Sequence, residues 1–486
     1  MKFIHSLLMV VLAFAVGGSV GAAQAPAKKF NVLFFAVDDL RPEFGAYGKS
    51  YIQSPNLDRL AKGGLTFHRA YCQQAVCSPS RSSLLTGTRP DTTKVYDLQT
   101  HFRKALPDVV TLPQHFKQNG YFVQGMGKLF HGGLDDPRSW SVPWTKPQTA
   151  HGAYGLAKHN AMVSGKKKGG GETRGPAFES SEVPDNTFHD GALADMAIAA
   201  LREIKQKNQP FWLGVGFIRP HLPFVSPKKY WDLYDPAKIQ LAPNPFPPKD
   251  APDYAVTSFG ELRSYHGIPP SGPVPDDLAR QLKHGYYAAI SYMDAQMGRV
   301  LDELERLGLR ENTVVILWGD HGWKLGEHGS WCKHSNVEND ANAPLLISVP
   351  GMKSAGQRTD ALVEFVDIYP TLAELCGLPR PAHLEGTSFA PVIENPNRAW
   401  KTAAFSQYPR SSGGKQLMGY SMRTERYRFT RWVQKADHSK VEAVELYDHR
   451  TDPQENVNIA HEPKNAELVA KLTEQWLKGW RGAGPK

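Results

Sequence analysis

The chain has 486 residues, 41% of them apolar and 22% charged, with a net charge of +9. This composition supplies a large core and excludes disordered and collagen-like chains, while the length fits one large body with a smaller appendage at roughly 150 residues per domain. Gly (43) and Pro (37) are frequent but follow no fixed period, which excludes a solenoid of repeats. The positive excess suits either an ordinary soluble surface or attraction of an anionic polymer, and no nucleic-acid motif accompanies it.

The first element is the apolar run 7–16, preceded by Lys2 and His5 and followed by Ala23-Gln24-Ala25. It is too short to span a bilayer and reads as a signal peptide over residues 1–25, cleaved after Ala25 or Ala23. The expectation is a periplasmic or secreted protein with no membrane span. No Cys lies near the cleavage site, which argues against a lipid anchor.

Five short runs, 32–37, 122–126, 211–218, 314–318 and 345–349, are continuously apolar, as parallel strands covered on both faces should be. Between them, Leu193, Met196, Ala197, Ala200, Leu201 and Ile204 repeat at helical spacing. Tyr286, Ile290, Met293, Met297, Val300, Leu301 and Leu304 do the same, with Gly308 as the stop. The alternation predicts an α/β domain over residues 26–395, a mostly parallel sheet sandwiched by helices. Lys166-Lys167-Lys168 before three glycines reads as a solvated loop. The stretch 243–275 holds nine prolines and reads as an extended surface excursion, either a cleft wall or a structural wrap. Residues 396–486 turn to short alternating pieces and a final amphipathic helix, a smaller C-terminal α+β subdomain.

Polar residues follow four of the strands: Asp38-Asp39, then Lys128 and His131, then Arg219 and His221, then Asp320-His321. Ligand sites in open α/β sheets gather at the carboxyl ends of strands, so these sets are expected to converge. Asp38 and Asp39 are a costly like-charge pair unless a cation joins them, and with Asp320 they offer hard oxygen donors suited to Ca²⁺. The segment Cys77-Ser78-Pro79-Ser80-Arg81-Ser82-Ser83-Leu84-Leu85-Thr86-Gly87 reads as a short helix, capped by Ser78, with Pro79 at its first position and Gly87 at its end. Cys77 would then sit just before the positive helix end, where an anion is stabilised.

Cys77-Ser78-Pro79-Ser80-Arg81 followed by Leu85-Thr86-Gly87-Thr88-Arg89-Pro90 resembles the signature of the formylglycine-dependent sulfatases. The likeness extends to Asp38-Asp39-Leu40-Arg41-Pro42, Gly127-Lys128-Leu129-Phe130-His131, Arg219-Pro220-His221-Leu222-Pro223 and Gly319-Asp320-His321-Gly322-Trp323, and it is strongest to the iduronate-2-sulfatase branch. The resemblance implies an alkaline-phosphatase-like fold and oxidation of Cys77 to formylglycine by a formylglycine-generating or anaerobic sulfatase-maturating enzyme. It implies Ca²⁺ held by Asp38, Asp39, Asp320 and the modified residue 77, with His321 as a further ligand or an orienting group. Sulfate needs fixed positive donors, and Arg81, Lys128 and Lys333 are the candidates. His221 is assigned as the acid for the leaving oxygen, and His131 to sulfate contact or to breakdown of the intermediate. Glu327 is read as structural, and Trp323 and Trp331 as sugar-stacking or packing.

The expected partner is a sulfated saccharide, with a 2-O-sulfated uronic acid at a non-reducing end as the leading substrate. A phosphate or phosphonate monoester hydrolase of the same fold, or a non-catalytic polysaccharide-binding protein, are the alternatives. With Cys77 modified, Cys72, Cys332 and Cys376 allow one disulfide and one thiol in an oxidising compartment.

Overall fold

The computed structural model describes residues 29–149, 152–163, 174–257 and 261–485. The expected signal peptide and the Lys166–Lys168 loop lie outside the described residues.

Seven strands form the main sheet: β1 (Asn31–Val37), β2 (Leu65–Phe67), β3 (Phe122–Gly127), β4 (Phe211–Phe217), β5 (Thr313–Gly319), β6 (Leu345–Ser348) and β7 (Arg358–Thr359). Their order is β7-β2-β6-β5-β1-β4-β3. The four strands β5-β1-β4-β3 run parallel, so their carboxyl ends stand side by side at one edge of the molecule.

One strand departs from expectation. Segment 345–349, read as parallel, runs antiparallel to β5, with Trp318 opposite Leu345, and also antiparallel to β2. All four residues of β6 are buried. Burial on both faces gives the same continuous apolar run in either direction, so the pattern carries no polarity. The reversal matters for the site, because the connection 320–344 begins and ends at the same edge of the sheet.

Alternate residues of β1 enter two separate cores. Leu33, Phe35 and Val37 pack on one face, with Leu193, Leu201, Tyr286 and Met293; Val32, Phe34 and Ala36 pack on the other, with Leu84, Leu85, Ile368 and Leu372. The first face is covered by α2 (His189–Gln206) and the 31-residue α3 (Asp276–Arg306), the two helices expected from spacing. On the second face sits α1 (Cys77–Thr86), a ten-residue helix that is buried all round.

The four cysteines form no disulfide. Cys332 belongs to the first core and Cys72 and Cys376 to the second. Cys72 Sγ lies 3.8 Å from the Asp340 carbonyl and Cys376 Sγ 3.7 Å from that of Phe30, and the one bridge that the sequence allowed is not formed.

After the short helix Ala390–Glu394 the chain enters a four-stranded antiparallel sheet of β8 (Ala403–Ser412), β9 (Lys415–Thr424), β10 (Tyr427–Gln434) and β11 (Asp437–Asp448), in that order, and then α4 (Ala466–Leu477). The boundary expected at residue 395 falls in this link. The sheet docks beside the segment leading to α1: Ser406 Oγ donates to the Cys72 carbonyl (2.6 Å) and the Gln407 amide to that of Gln73 (2.8 Å). Among the described residues no helix is long and apolar enough to cross a membrane.

Candidate active site

The site starts from the end of β1. In an extended strand Asp38 and Asp39 would point to opposite faces, but Asp39 takes φ +57°, a left-handed conformation that Asp tolerates better than most residues. Tyr286 of α3 secures the bend: its hydroxyl donates to the Asp39 carbonyl (2.7 Å) and accepts from the Arg41 amide (3.1 Å). Both carboxylates end up fully buried on the same side as Cys77.

Two glycines bring Lys128 in. Gly127 ends β3 at φ +69°, and a methyl group on Gly216 would lie 2.3 Å from the Lys128 carbonyl, a clash that only glycine avoids. The Lys128 amide accordingly donates to the Gly216 carbonyl (2.8 Å). Lys128 Nζ then pairs with Asp38 and lies 3.7 Å from Cys77 Sγ.

Helix α1 begins two residues earlier than its sequence suggests. Cys77 is the first helical residue, Val76 flanks it in extended conformation, and no side chain caps the end. Ser78 is therefore not the cap, and Pro79 occupies the third position, where a missing N–H costs nothing because first-turn amides have no intrahelical acceptor. Gly87 closes the helix at φ +69° as expected. Cys77 Sγ lies 3.3 Å from Asp38 Oδ1 and 3.4 Å from His321 Nε2. The Ser80 hydroxyl holds the Asp320 carbonyl.

Arg81, one turn along α1, is fully buried and occupied by carboxylates and carbonyls. Its Nε donates to Asp320 Oδ2 (2.9 Å), Nη2 to Asp38 Oδ1 (3.3 Å), and Nη1 to the carbonyls of Lys128 and Leu129. In this geometry it fixes the acids instead of facing an incoming anion. Asp320 Oδ1 in turn accepts the Asp39 and His321 amides, each at 3.1 Å, which ties the ends of β1 and β5 together. His321 Nδ1 is 2.9 Å from the Gly322 carbonyl, so Nδ1 carries the proton and Nε2 faces Cys77.

Lys333, on the 320–344 connection, donates to Asp39 Oδ1 and Oδ2 (3.0 and 3.2 Å) and to Glu261 Oε2 (2.9 Å). His221 Nε2 lies 3.4 Å from Glu261 Oε1 and 3.8 Å from Asp39 Oδ2, and its Nδ1 donates to the Leu222 carbonyl (2.7 Å). His131 stands at the margin. Its Nδ1 has no partner among the described residues, and burial next to the Lys128 charge pushes its pKa down to about 4.

Burial shapes the charges here. It pushes Asp39 up to about 7, the Asp38 charge reinforcing it against the pull of Lys333. Burial also opposes ionisation of Asp38, but Lys128, His221 and Arg81 together hold that carboxyl well below the usual range. The Cys77 thiol is pushed well up by burial and by Asp38. As encoded, residue 77 is a protonated thiol and a weak nucleophile.

One residue went unforeseen. Glu261 is held by Lys333, His221 and Arg174, the last at 3.6 Å. It lies in the proline-dense stretch, which therefore does reach the cleft. Glu327 forms an ion pair with Arg41 (3.0 Å), as its structural reading expected. Trp323 and Trp331 are 0% and 7% exposed, with Lys333 Nζ 4.7 Å from the Trp323 ring; both pack, and neither offers a face to a sugar.

A cation fits this donor set. Asp38, Cys77, Asp320 and His321 bring one ligand atom each within 4.8 Å of one another, and so do Asp39, Cys77 and His221. Three buried acids around one point need positive charge, which the Arg81 guanidinium and the ammonium groups of Lys128 and Lys333 supply here.

A mostly parallel sheet carrying such a set at its carboxyl edge, with an antiparallel C-terminal sheet beside it, is the alkaline-phosphatase-like fold. Two solved structures share it at 22% identity and a TM-score of 0.74: BT4656 in complex with its substrate D-glucosamine-2-N,6-O-disulfate (94% of this chain and 98% of that one) and the phosphonate monoester hydrolase of Silicibacter pomeroyi (94% and 96%). Residues 30–378 match the Sulfatase family model, and residues 326–481 match the model for the C-terminal part of N-sulphoglucosamine sulphohydrolase. The mouse (Mus musculus) iduronate 2-sulfatase is 34% identical, over 93% of this chain and 95% of its own. The chain belongs to the sulfatase family and is a sulfuric ester hydrolase, which sets aside the non-catalytic alternative.

Proposed function

We propose that this sulfatase removes the 2-O-sulfate of a uronic acid at the non-reducing end of a sulfated saccharide, after Cys77 has been converted to formylglycine. The observation that carries the reading is the placement of Cys77 Sγ within 3.7 Å of Asp38, Lys128 and His321 at the buried start of α1. The substrate assignment is supported by the name of the mouse relative and by the basic balance of the chain.

The hydrated aldehyde supplies hydroxyls where the buried thiol stands, since that thiol is too weakly acidic to attack sulfur itself. Ca²⁺, held by Asp38, Asp39 and Asp320 with residue 77 and His321, would supply charge to lower the pKa of an attacking oxygen and polarise the ester. Lys128 and Lys333 flank the acids and are placed to hold the sulfate oxygens once a cation relieves them of Asp38 and Asp39. Arg81 keeps Asp38 and Asp320 in position. His221 keeps its Nδ1 proton on the Leu222 carbonyl, so it serves as the acid in its imidazolium form. The Nε2 proton of that form, favoured by Glu261 at 3.4 Å against the burial that pushes the His221 pKa down to about 4, passes to the leaving sugar oxygen. His131, with a free Nδ1, is placed to contact sulfate or assist its release.

The maturating partner is a formylglycine-generating or anaerobic sulfatase-maturating enzyme, and the expected destination is periplasmic or secreted. The test is sulfate release from defined disaccharides. A 2-O-sulfated uronic acid terminus is expected to be hydrolysed and a 6-O-sulfated glucosamine terminus not. Faster turnover of an aryl phosphate than of the matching aryl sulfate would overturn the sulfate assignment.

A further inference from the structure

His334 holds a backbone conformation that side-chain-bearing residues seldom adopt, with φ +87°. Such strain persists where the surroundings over-determine it, and it gathers at working sites. Here the backbone is pinned on both sides. The His334 amide donates to the carbonyl of Ala75 (3.2 Å), two residues before Cys77. Arg410 of β8 donates through Nη2 to the His334 carbonyl and through Nε to that of Tyr254 (2.7 Å), and its guanidinium carbon sits 4.5 Å over the Tyr408 ring. Arg410 is thus spent as a clamp.

What the clamp presents is the imidazole. It stands 6.0 Å from the Tyr408 ring, and neither of its nitrogens forms a hydrogen bond among the described residues. Together with Asp253, Thr257, Tyr408 and Arg410 it lines a pocket of about 350 Å³, at the lower end of the roughly 300–1,000 Å³ common to small-molecule sites. The pocket borders the cleft at two points. Lys333, the preceding residue, grips Asp39 and Glu261, and Thr257 stands four positions before Glu261.

The pocket's two charged wall residues, Asp253 and Arg410, are of opposite sign. Burial and the Lys333 charge push the His334 pKa well below the ordinary histidine value, so the imidazole is neutral and carries one donor and one acceptor. A wall without net charge has nothing to offer a second anion. It matches a hydroxyl, which is itself both donor and acceptor. We propose that His334 reads a hydroxyl of the sulfated sugar ring, hydrogen-bonding it through the imidazole while Lys333, one residue earlier, holds the sulfate. This inference rests on ester cleavage at Cys77 and not on which sulfated sugar is cleaved there. A site built to bond a hydroxyl rejects the analogue that lacks it, because the site's own polar atoms are then left unpaired.

The test compares the matured wild type, His334→Gly and His334→Asn. The substrates are the 2-O-sulfated uronic acid disaccharide, its analogues lacking one free hydroxyl of the sulfated ring, and p-nitrophenyl sulfate, which has no sugar hydroxyl. Glycine is unstrained at this φ, so His334→Gly is expected to keep the wild-type Tm. Its kcat/KM should fall at least about tenfold further on the disaccharide than on p-nitrophenyl sulfate, with His334→Asn, which keeps a shorter donor and acceptor, falling between. The wild type should discriminate at least about tenfold against one deoxy analogue, and His334→Gly should not. Equal losses on the disaccharide and the aryl sulfate overturn the proposal, as does undiminished discrimination by His334→Gly. Should His334→Gly fail to fold, the same ratios for His334→Asn decide. If the uronic acid disaccharide is not hydrolysed, the substrate reading fails, and the comparison on the 6-O-sulfated glucosamine terminus decides the role of His334.

Discussion

Glu261→Gln is the substitution that most sharply probes how the site is held. Glu261 is 17% exposed in its side chain and its Oε2 takes a hydrogen bond from Lys333 at 2.9 Å, while Oε1 lies 3.4 Å from His221. The glutamine keeps the shape and one acceptor but removes the charge. A hydrogen bond to a charged group contributes about 1.5–3 kcal/mol. Lys333 keeps Asp39 as a second anchor at 3.0 Å, so the expected loss is about 1–2 kcal/mol, or about five- to thirtyfold in kcat/KM. The assay is p-nitrophenyl sulfate hydrolysis by Glu261→Gln, Lys333→Met and the double variant. Because Glu261 is argued to act through Lys333, it is a positioning residue, and the double variant should be no more than about twofold worse than Lys333→Met alone. Independent, multiplicative losses would refute that reasoning, as would a Glu261→Gln protein within twofold of the wild type.

His221→Ala is expected to slow sugar sulfates by about 10²–10⁴-fold and p-nitrophenyl sulfate far less, since that leaving group needs little protonation; equal losses on both would remove His221 as the acid. Chelation with EGTA should lower Tm by a few degrees and abolish turnover, with Ca²⁺ restoring both, because a cation relieves the repulsion of Asp38, Asp39 and Asp320; an unaltered Tm would contradict a bound metal. Glu327 is buried, but the Arg41 guanidinium overcomes that penalty and holds its pKa down to about 2. Its stabilisation is complete above the unfolded value of about 4.5 and is lost as pH falls toward 2, a contribution of about 3 kcal/mol. Urea unfolding of Glu327→Gln should therefore be less stable at pH 7 and lose less on acidification than the wild type, and parallel pH profiles would refute the pairing.

Much of this was legible in the sequence because the informative residues sit at the ends of apolar runs. The runs ending at Val37, Met126, Ile218 and Trp318 marked four neighbouring parallel strands, and the polar residues beyond them, Asp38, Asp39, Lys128, His221, Asp320 and His321, were drawn together by that geometry alone. Glu261 escaped because an irregular, proline-dense segment has no periodicity from which to place a side chain. The direction of β6 escaped because burial on both faces erases the difference between parallel and antiparallel. The start of α1 was misplaced by two residues because Ser78 looks like a cap, whereas the contacts of Cys77 with Asp38, Lys128 and His321 accompany a helix that begins at the thiol itself. The role of Arg81 also differs from a simple anion donor, since sequence carries no information on which of several buried acids its guanidinium will reach.

The most direct measurement is the mass of the tryptic peptide containing residue 77, taken from active protein purified from a host with a maturating enzyme. An aldehyde in place of the thiol, with turnover absent from Cys77→Ala protein of unchanged Tm, is the predicted result. A fully active enzyme whose residue 77 is an unmodified cysteine would contradict it.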